Sequence, residues 1–450
     1  MRRLLVAGLC FVAAAGAPFP VAALDGGRES ISVLVHTADG HLHSVRRIAT
    51  GLGLHVGTTY PMIDVFVAAG PEAALVELQD HPQIEGLEPN RPIELHTDTS
   101  HRATRGITVL AMKHDGRRID GRGIGVAVVD SGVDGTHPDL VDRMGGNVRI
   151  VCTRPGFLVG TLTECGGPKE TLELDNTDTG GHGTHVAGIV AGTGAASEGR
   201  YHGAAPGSTI YGVGMGTVAV VENALDGLRW VLDNHDKVKP RIRVVNNSWG
   251  SGYDPQNYGD PETRALTKMV EKLVDEGITV VFSAGNSGGD GTEVRTSLEC
   301  TIPAPGVVCV ANYDDGNTAT RDGSIRSTSS RGVPDDPSTW PDVSTPGTAI
   351  TAACRRTYFS CADSAEGDDY ATLTGTSMAA PHVAGIVAQL LQVRSSLTPA
   401  EIEDLLEDTA HKFEWGAPYG RDPANRDDTS SFEKGHGLVD AWAAVRSLLH

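Results

Sequence analysis

G-V-A-V-V-D-S-G, residues 125–132, decides the fold. Five small or apolar residues run without a polar break and end on an acid and a Ser-Gly turn. A strand half exposed to water alternates, whereas a strand buried on both faces reads as a short continuous apolar run, the habit of parallel sheets. The pattern continues downstream. I-Y-G-V at 210–213 precedes a helix over about 218–233, with Val221, Leu225, Leu228 and Leu232 on one face. R-V-V-N-N at 243–247, a helix over about 262–275 and I-T-V-V-F-S-A at 278–284 extend the alternation, and another helix follows Ser377. Thr398-Pro399-Ala400-Glu401 reads as a capping box with proline at the first helical position. The alternation predicts an α/β fold, a doubly wound, mostly parallel sheet with helices on both faces. Sites in such sheets form at the carboxyl ends of strands, and Asp130 and Asn286 each stand just past one.

A smaller pattern lies ahead of this one. Strands at 31–36 and 62–68, helices over His41–Leu52 and Pro71–Asp80, a strand near His55–Tyr60 and a last one ending at Leu95 predict a small α+β, ferredoxin-like module. Before it, Arg2 and Arg3, the apolar run Leu4–Ala17 and the small residues Val21-Ala22-Ala23 read as a secretory signal cleaved after Ala23. Pro18 and Pro20 cut the run short of a membrane span. Polar residues 96–122 read as a linker and the first turns of the next domain. The chain of 450 residues carries a net charge of −20 with no basic stripe, which excludes a nucleic-acid binder and implies a soluble protein.

Six cysteines remain once Cys10 leaves with the signal. Six allow 15 connectivities. Each sequence-local pair brackets one loop-like segment, so Cys152–Cys165, Cys300–Cys309 and Cys354–Cys361 are the expected disulfides, and export makes them chemically reasonable. Free thiol pairs are the alternative. Zinc is not indicated, because no Cys-x-x-Cys occurs.

Three stretches carry chemistry: V-A-V-V-D-S-G at 126–132, G-H-G-T-H-V-A-G at 181–188 and G-T-S-M-A-A-P-H-V-A-G at 375–385. They supply Asp130, His182 and Ser377. A serine hydroxyl needs a base within hydrogen-bond reach, and the base needs a third group to fix its tautomer. Pro381, read as a residue of a first helical turn, puts Ser377 near a helix start. His185 is the rival base. The zinc-peptidase pattern His-Glu-x-x-His is not met, since Gly183 and Thr184 follow His182, and Ala379 breaks the lipase-type Gly-x-Ser-x-Gly elbow. Read alone, Ser377 is also a good N-cap and His382 a packed helix residue.

Together with D-S-G-x-D-x-x-H-P-D-L at 130–140 and A-G-N at 284–286, these stretches resemble the subtilisin-like serine peptidases (subtilase family, peptidase S8), in the family's chain order Asp, His, Ser. E-P-N at 88–90 resembles the end of an inhibitor I9-like propeptide, and G-H-G-L-V-D-A at 435–441 the family's closing helix with no appended domain. The resemblance implies a secreted serine endopeptidase that works through an acyl-enzyme. It implies a signal peptide at 1–23, a propeptide at 24–98 and a catalytic domain at 99–450. It assigns Asp130, His182 and Ser377 as the triad and Asn286 as an oxyanion donor. Ser248, Trp249 and Gly250 become a substrate-binding edge strand, with Trp249 as a core residue the alternative, and Ala284 and Gly285 a wall of the first specificity pocket. The partners implied are protein or peptide substrates and the chain's own propeptide, as chaperone and temporary inhibitor; the enzyme is expected to be a monomer without nucleic-acid or membrane partners. Ser377 is expected to cut its own precursor near residues 96–106. The small, uncharged pocket wall predicts broad cleavage beside apolar or aromatic residues.

No cofactor is required for this chemistry. A structural calcium is a family possibility, and Asp139 matches a calcium-ligating position. Segment 191–206 nevertheless has no Asn or Asp where many subtilases have a calcium loop, so the metal site stays unassigned. Segment 331–343 reads as an enlarged surface loop. A peptide ligase on the same site and a binding-only pseudoenzyme are the rival functions.

Overall fold

The computed structural model describes residues 31–61, 64–89, 97–150, 175–215, 221–252, 265–362, 366–421 and 429–449. The signal segment and the pair Cys152–Cys165 lie outside the described residues. The chain divides into two compact units, 1–93 and 94–450.

The first unit runs β1 (Ile31–Thr37), α1 (Leu42–Gly51), β2 (His55–Tyr60), β3 (Val65–Gly70), α2 (Glu72–Gln79) and β4 (Ile84–Pro89). Its strands lie in the order β2-β3-β1-β4, all antiparallel, the split βαβ arrangement. Val33, Val35, Val45, Phe66, Leu75 and Leu78 fill its core. The strand read at 62–68 is shifted: it begins at Val65, after Asp64 with φ 51° turns the chain.

The second unit opens with α3 (Thr97–Ala103), α4 (Gly106–Ala111) and a small ribbon of β5 (Lys113–His114) and β6 (Arg117–Arg118). There follow β7 (Gly125–Asp130), β8 (Met144–Arg149), α5 (His182–Ala191), β9 (Thr209–Gly214), α6 (Val221–Asn234), β10 (Ile242–Asn247), α7 (Ala265–Asp275), β11 (Thr279–Ser283) and β12 (Val307–Asp314). The remainder is β13 (Ser324–Ile325), β14 (Val343–Pro346), the hairpin β15 (Ile350–Ala353) and β16 (Tyr370–Leu373), α8 (Thr376–Val393), α9 (Pro399–Asp408), the ribbon β17 (Gly420–Arg421) and β18 (Thr429–Ser430), and α10 (Ala441–Leu448).

The main sheet has the order β13-β12-β11-β10-β7-β9-β8, with β14 also on β12. Every pairing is parallel except β12 with β13. All six residues of β7 are buried. Val126 and Val128 face a core built with α5, α8, α9 and α10, while Ala127 and Val129 face a second core built with α6 and α7. Each buried valine gains roughly 1.5–3 kcal/mol over exposure, which is why the continuous apolar run is needed. On α6 the predicted face holds in part: Leu228 is buried, Leu225 and Leu232 pack at its margin, and Val221 is exposed. The Thr398 capping box is formed in both directions. Chain order reverses around β7, whose neighbours are β9 on one side and β10 on the other, so the crevice at their carboxyl ends is a topological switch point.

Two sequence expectations need correction. The polar stretch from residue 97 is folded: Ser100, His101 and Ala103 are buried, and Arg105 forms a forked ion pair with Asp440. Arg105 misleads there because its partner lies 335 residues away. Segment 331–343 is a surface loop only in its middle and is anchored at both ends. Arg331 pairs with Glu433 at 2.8 Å in a buried contact, Thr339 is buried, and Val343 begins a sheet strand; only 334–336 and Ser338 are exposed.

Candidate active site

Asp130 ends β7 and is 4% exposed. Its Oδ1 accepts from His182 Nδ1 at 2.8 Å and from the Ser131 N–H at 2.7 Å, while Oδ2 is buried without a protein donor. A carboxylate can only accept, so Nδ1 carries the hydrogen and Nε2 is left as the base. His182 is the first residue of α5, and its side chain is 31% exposed. Burial alone would lower its pKa. The Asp130 carboxylate, through charge and hydrogen bond, and the charge of Asp178 outweigh burial and raise it above the usual histidine value.

Asp178 was not found from sequence. It is buried, and its two oxygens accept from Ser131 Oγ, the N–H groups of Gly180, Gly181 and Thr184, and Thr184 Oγ1. A single carboxylate thus gathers the orphan donors at the start of α5, where negative charge also suits the helix dipole. An acid four residues before His182 was the available signal.

The rival histidines are structural. His185 is fully buried and donates from Nε2 to the carbonyls of Ile350 and Ala371; burial drives its pKa down to about 4. His382 is buried on α8, donating from Nδ1 to Met378 O and accepting from Ser100 Oγ at Nε2.

Ser377 is the second residue of α8, in the first turn of an 18-residue helix. Pro381 is not in that turn. It is the sixth helical residue, and lacking an N–H it cannot bond the carbonyl of Ser377. Ser248 fills the gap: its hydroxyl donates to Ser377 O at 2.8 Å, and Asn246 Nδ2 donates to Ser248 Oγ at 2.9 Å. In return the Ser377 hydroxyl donates to Ser248 O at 3.0 Å rather than to His182. Asp130 and His182 are therefore joined to each other, and Ser377 to Ser248.

Asn286 lies just past β11. Its Oδ1 accepts from Thr376 N at 3.0 Å and Thr376 Oγ1 at 3.2 Å, which leaves Nδ2 as the donor for a ligand. A Cβ at Gly375 would stand 3.4 Å from that Nδ2, so glycine keeps the approach open. Thr376, also missed from sequence, holds the opposite wall through Oγ1, which accepts the Gly285 N–H at 3.1 Å. Gly285 is half-buried with φ 103°, but Ala284 is wholly buried and belongs to the core. Ser248 is buried and Gly250 exposed. Trp249 sends its indole inward, donating from Nε1 to Val129 O at 2.8 Å and meeting Phe282 edge-on. Residue 249 therefore offers its backbone to the crevice, not its ring.

The surroundings of Asp139 do not fit a calcium ion. Both carboxylate oxygens accept from Tyr370 OH, at 2.9 and 2.8 Å, and Oδ1 also accepts the Ala196 N–H. A hard cation wants about 6–8 oxygens, and here hydrogen-bond donors already occupy the acid. The disulfides Cys300–Cys309 and Cys354–Cys361 are both formed.

A buried acid bonded to a helix-start histidine, a serine in the first turn of a second helix and an oriented amide, at the switch point of a parallel sheet, are the kinds of group that serine-type acyl transfer uses. The subtilase (Peptidase_S8) family profile matches residues 121–437, and the chain belongs to that family. It is 32% identical over 378 residues to serine protease AprX of Bacillus subtilis, covering 80% of this chain and 77% of that one. Subtilisin E of the same organism is 27% identical over 400 residues, 88% of this chain and 84% of its own. The crystal structure of fervidolysin from Fervidobacterium pennivorans superposes with a TM-score of 0.54 at 24% identity, over 94% of this chain and 62% of that one, a likeness of fold.

Proposed function

We propose that this chain is a secreted endopeptidase in which Asp130, His182 and Ser377 act as the triad. Substrate lies along 248–250 as an added strand. Ser377 Oγ attacks the peptide carbonyl as its proton passes to His182 Nε2, and the Asp130 carboxylate stabilises the imidazolium. The oxyanion takes hydrogen bonds from Asn286 Nδ2 and the Ser377 N–H. The carbon–nitrogen bond breaks as His182 gives the proton to the leaving amine. Water, deprotonated by the same imidazole, then cleaves the ester and restores Ser377. The observation that carries this reading is the 2.8 Å Asp130–His182 bond at the switch point, with Nε2 left free to act as base. A peptidyl phosphonate should label Ser377, and Ser377→Ala should lower hydrolysis on the order of a million-fold. Labelling elsewhere, or unimpaired hydrolysis by the variant, overturns it.

The reading extends to processing, with residues 24–98 as a propeptide removed by Ser377 and retained as a temporary inhibitor. Ser100 and Arg105 are built into the catalytic unit, and His101 Nε2 donates to His202 O at 2.8 Å. This supports a cut before Ser100, in the first part of the 96–106 window. Ser377→Ala, expressed without the signal, should accumulate uncut; processing of that variant in a protease-free preparation would refute self-cleavage.

A further inference from the structure

The loop between β15 and β16 rests against the segment that leads into the catalytic histidine. Cys354–Cys361 closes it. Ser360 N–H donates to Gly180 O at 3.1 Å, and Cys354 Sγ lies 3.3 Å from Gly181 O. The fit is close enough that a Cβ on Gly181 would fall 2.6 Å from Tyr358 Cβ and 2.9 Å from Cys354 Sγ. On its other side the loop is tied down by Arg355 to Thr136 O at 3.0 Å and Asp134 Oδ2 at 3.1 Å, and by Tyr358 OH to Asn176 and Asp134. Tyr358 packs beside Cys354, Cys361 and Ala371. These contacts do the folding work of the loop.

Phe359 does none of it. It begins the tight turn Phe359–Cys361, and at 93% it is the most exposed large apolar side chain among the described residues; Trp415 follows at 68%. A benzyl group in water is unfavourable, and a loop that holds one out gains nothing from it in the free protein. Single exposed apolar residues need no explanation in general. This one stands between two residues that touch positions 180 and 181, immediately before His182.

We infer that Phe359 is a specificity-determining residue, packing on an apolar side chain of the polypeptide segment that departs with the leaving amine. The inference rests on the proposed roles of His182 and Ser377. The acyl half of the substrate follows 248–250, beside Ser377 and Asn286. His182 passes its proton to the leaving nitrogen, so the chain attached to that nitrogen is the part of the substrate that runs past His182 and the loop braced on 180–181. Cys354–Cys361 and the Ser360 N–H bond to Gly180 O hold the backbone on either side of the ring, so that backbone loses little conformational entropy when a side chain packs there.

The test uses full-chain enzyme, with active sites counted by a peptidyl phosphonate. Internally quenched peptides carry Leu, Phe, Gly or Asp at the first two positions after the scissile bond, and a peptidyl nitroanilide serves as a substrate with no polypeptide there. Phe359→Ala should cut the preference for Leu or Phe over Gly about 3- to 10-fold, through KM and not kcat, and leave nitroanilide hydrolysis unchanged. Phe359→Leu should restore most of the preference. An unchanged profile, a change confined to the acyl side, or equal losses on peptide and nitroanilide would overturn the assignment. If neither substrate is cleaved and Ser377 is not labelled, the proposed function fails and this inference falls with it.

Discussion

The His182 imidazole acts as a base only when neutral, and its pKa is raised, so activity should fail on the acid side above the pH usual for histidine. Part of that elevation comes from Asp178. Asp178→Asn should shift the acid limb of kcat/KM to lower pH; a limb that stays in place would show that Asp178 acts only as a helix-start brace. Asn286→Ala should lower kcat by about 10²–10³ with little change in KM, since its Nδ2 is worth most when charge develops on the oxygen. A loss expressed mainly in KM would count against an oxyanion role. Asp130, His182 and Ser377 could be singled out because three short motifs carry them. Asp178 and Thr376 could not, because a buried acid or threonine shows its purpose only through the donors folded around it.

Among the elements, α3 is docked by histidines. His101 and His202 stack with ring centroids 4.7 Å apart, and His382 lies 5.5 Å from His101. Burial and the neighbouring imidazoles hold His101 well below the ordinary value, and burial lowers His382 to about 4. Both are neutral in the folded state down to a pH at which the unfolded chain is already protonated. Stability should therefore fall as pH drops from about 6.5 toward 4, because the unfolded state binds the extra protons. In a Ser377→Ala background, which prevents self-digestion, the melting temperature should show this slope and His101→Gln should flatten it. The opposite case lies between β14 and α9. Burial and neighbouring carboxylates raise Asp342 to about 8 and Glu403 to about 9, with Glu407, Asp404 and His436 as the surrounding ionisable groups. Their protons stay on in the folded protein after the unfolded chain has lost them. Their contribution is full below about pH 4 and lost as pH rises through 8–9. Glu403→Gln should therefore be more stable than the parent at pH 9 and close to it at pH 4; equal stability at pH 9 would refute a buried proton at this site.

For the whole molecule, periodicity sufficed to read the α/β alternation, since strands such as β7, β11 and β14 are buried on both faces and helices such as α7 on one. What periodicity could not supply was the far end of each long-range contact. Arg105 finds Asp440, Arg331 finds Glu433 and Tyr370 finds Asp139, so segments that read as linker or surface loop are anchored at points to the folded unit. The last of these bears on metal dependence. With Asp139 already satisfied by hydrogen-bond donors, chelation by EDTA should lower the melting temperature little. A large drop, reversed by added calcium, would mean that the ion displaces Tyr370.

Pro381 reaches beyond the shape of its helix into the reactivity of the nucleophile. Because it leaves the Ser377 carbonyl to Ser248, the two serines exchange hydrogen bonds, and the resting hydroxyl is parked on the segment just past β10 rather than on the base. A peptide laid along 248–250 brings an N–H that competes for the Ser248 carbonyl and frees the hydroxyl for His182. Inhibitor kinetics should register this release. Across phosphonates of increasing peptide length, the maximal inactivation rate at saturation should rise, over and above tighter binding. A small sulfonyl fluoride, which brings no main chain, should find the serine comparatively unreactive.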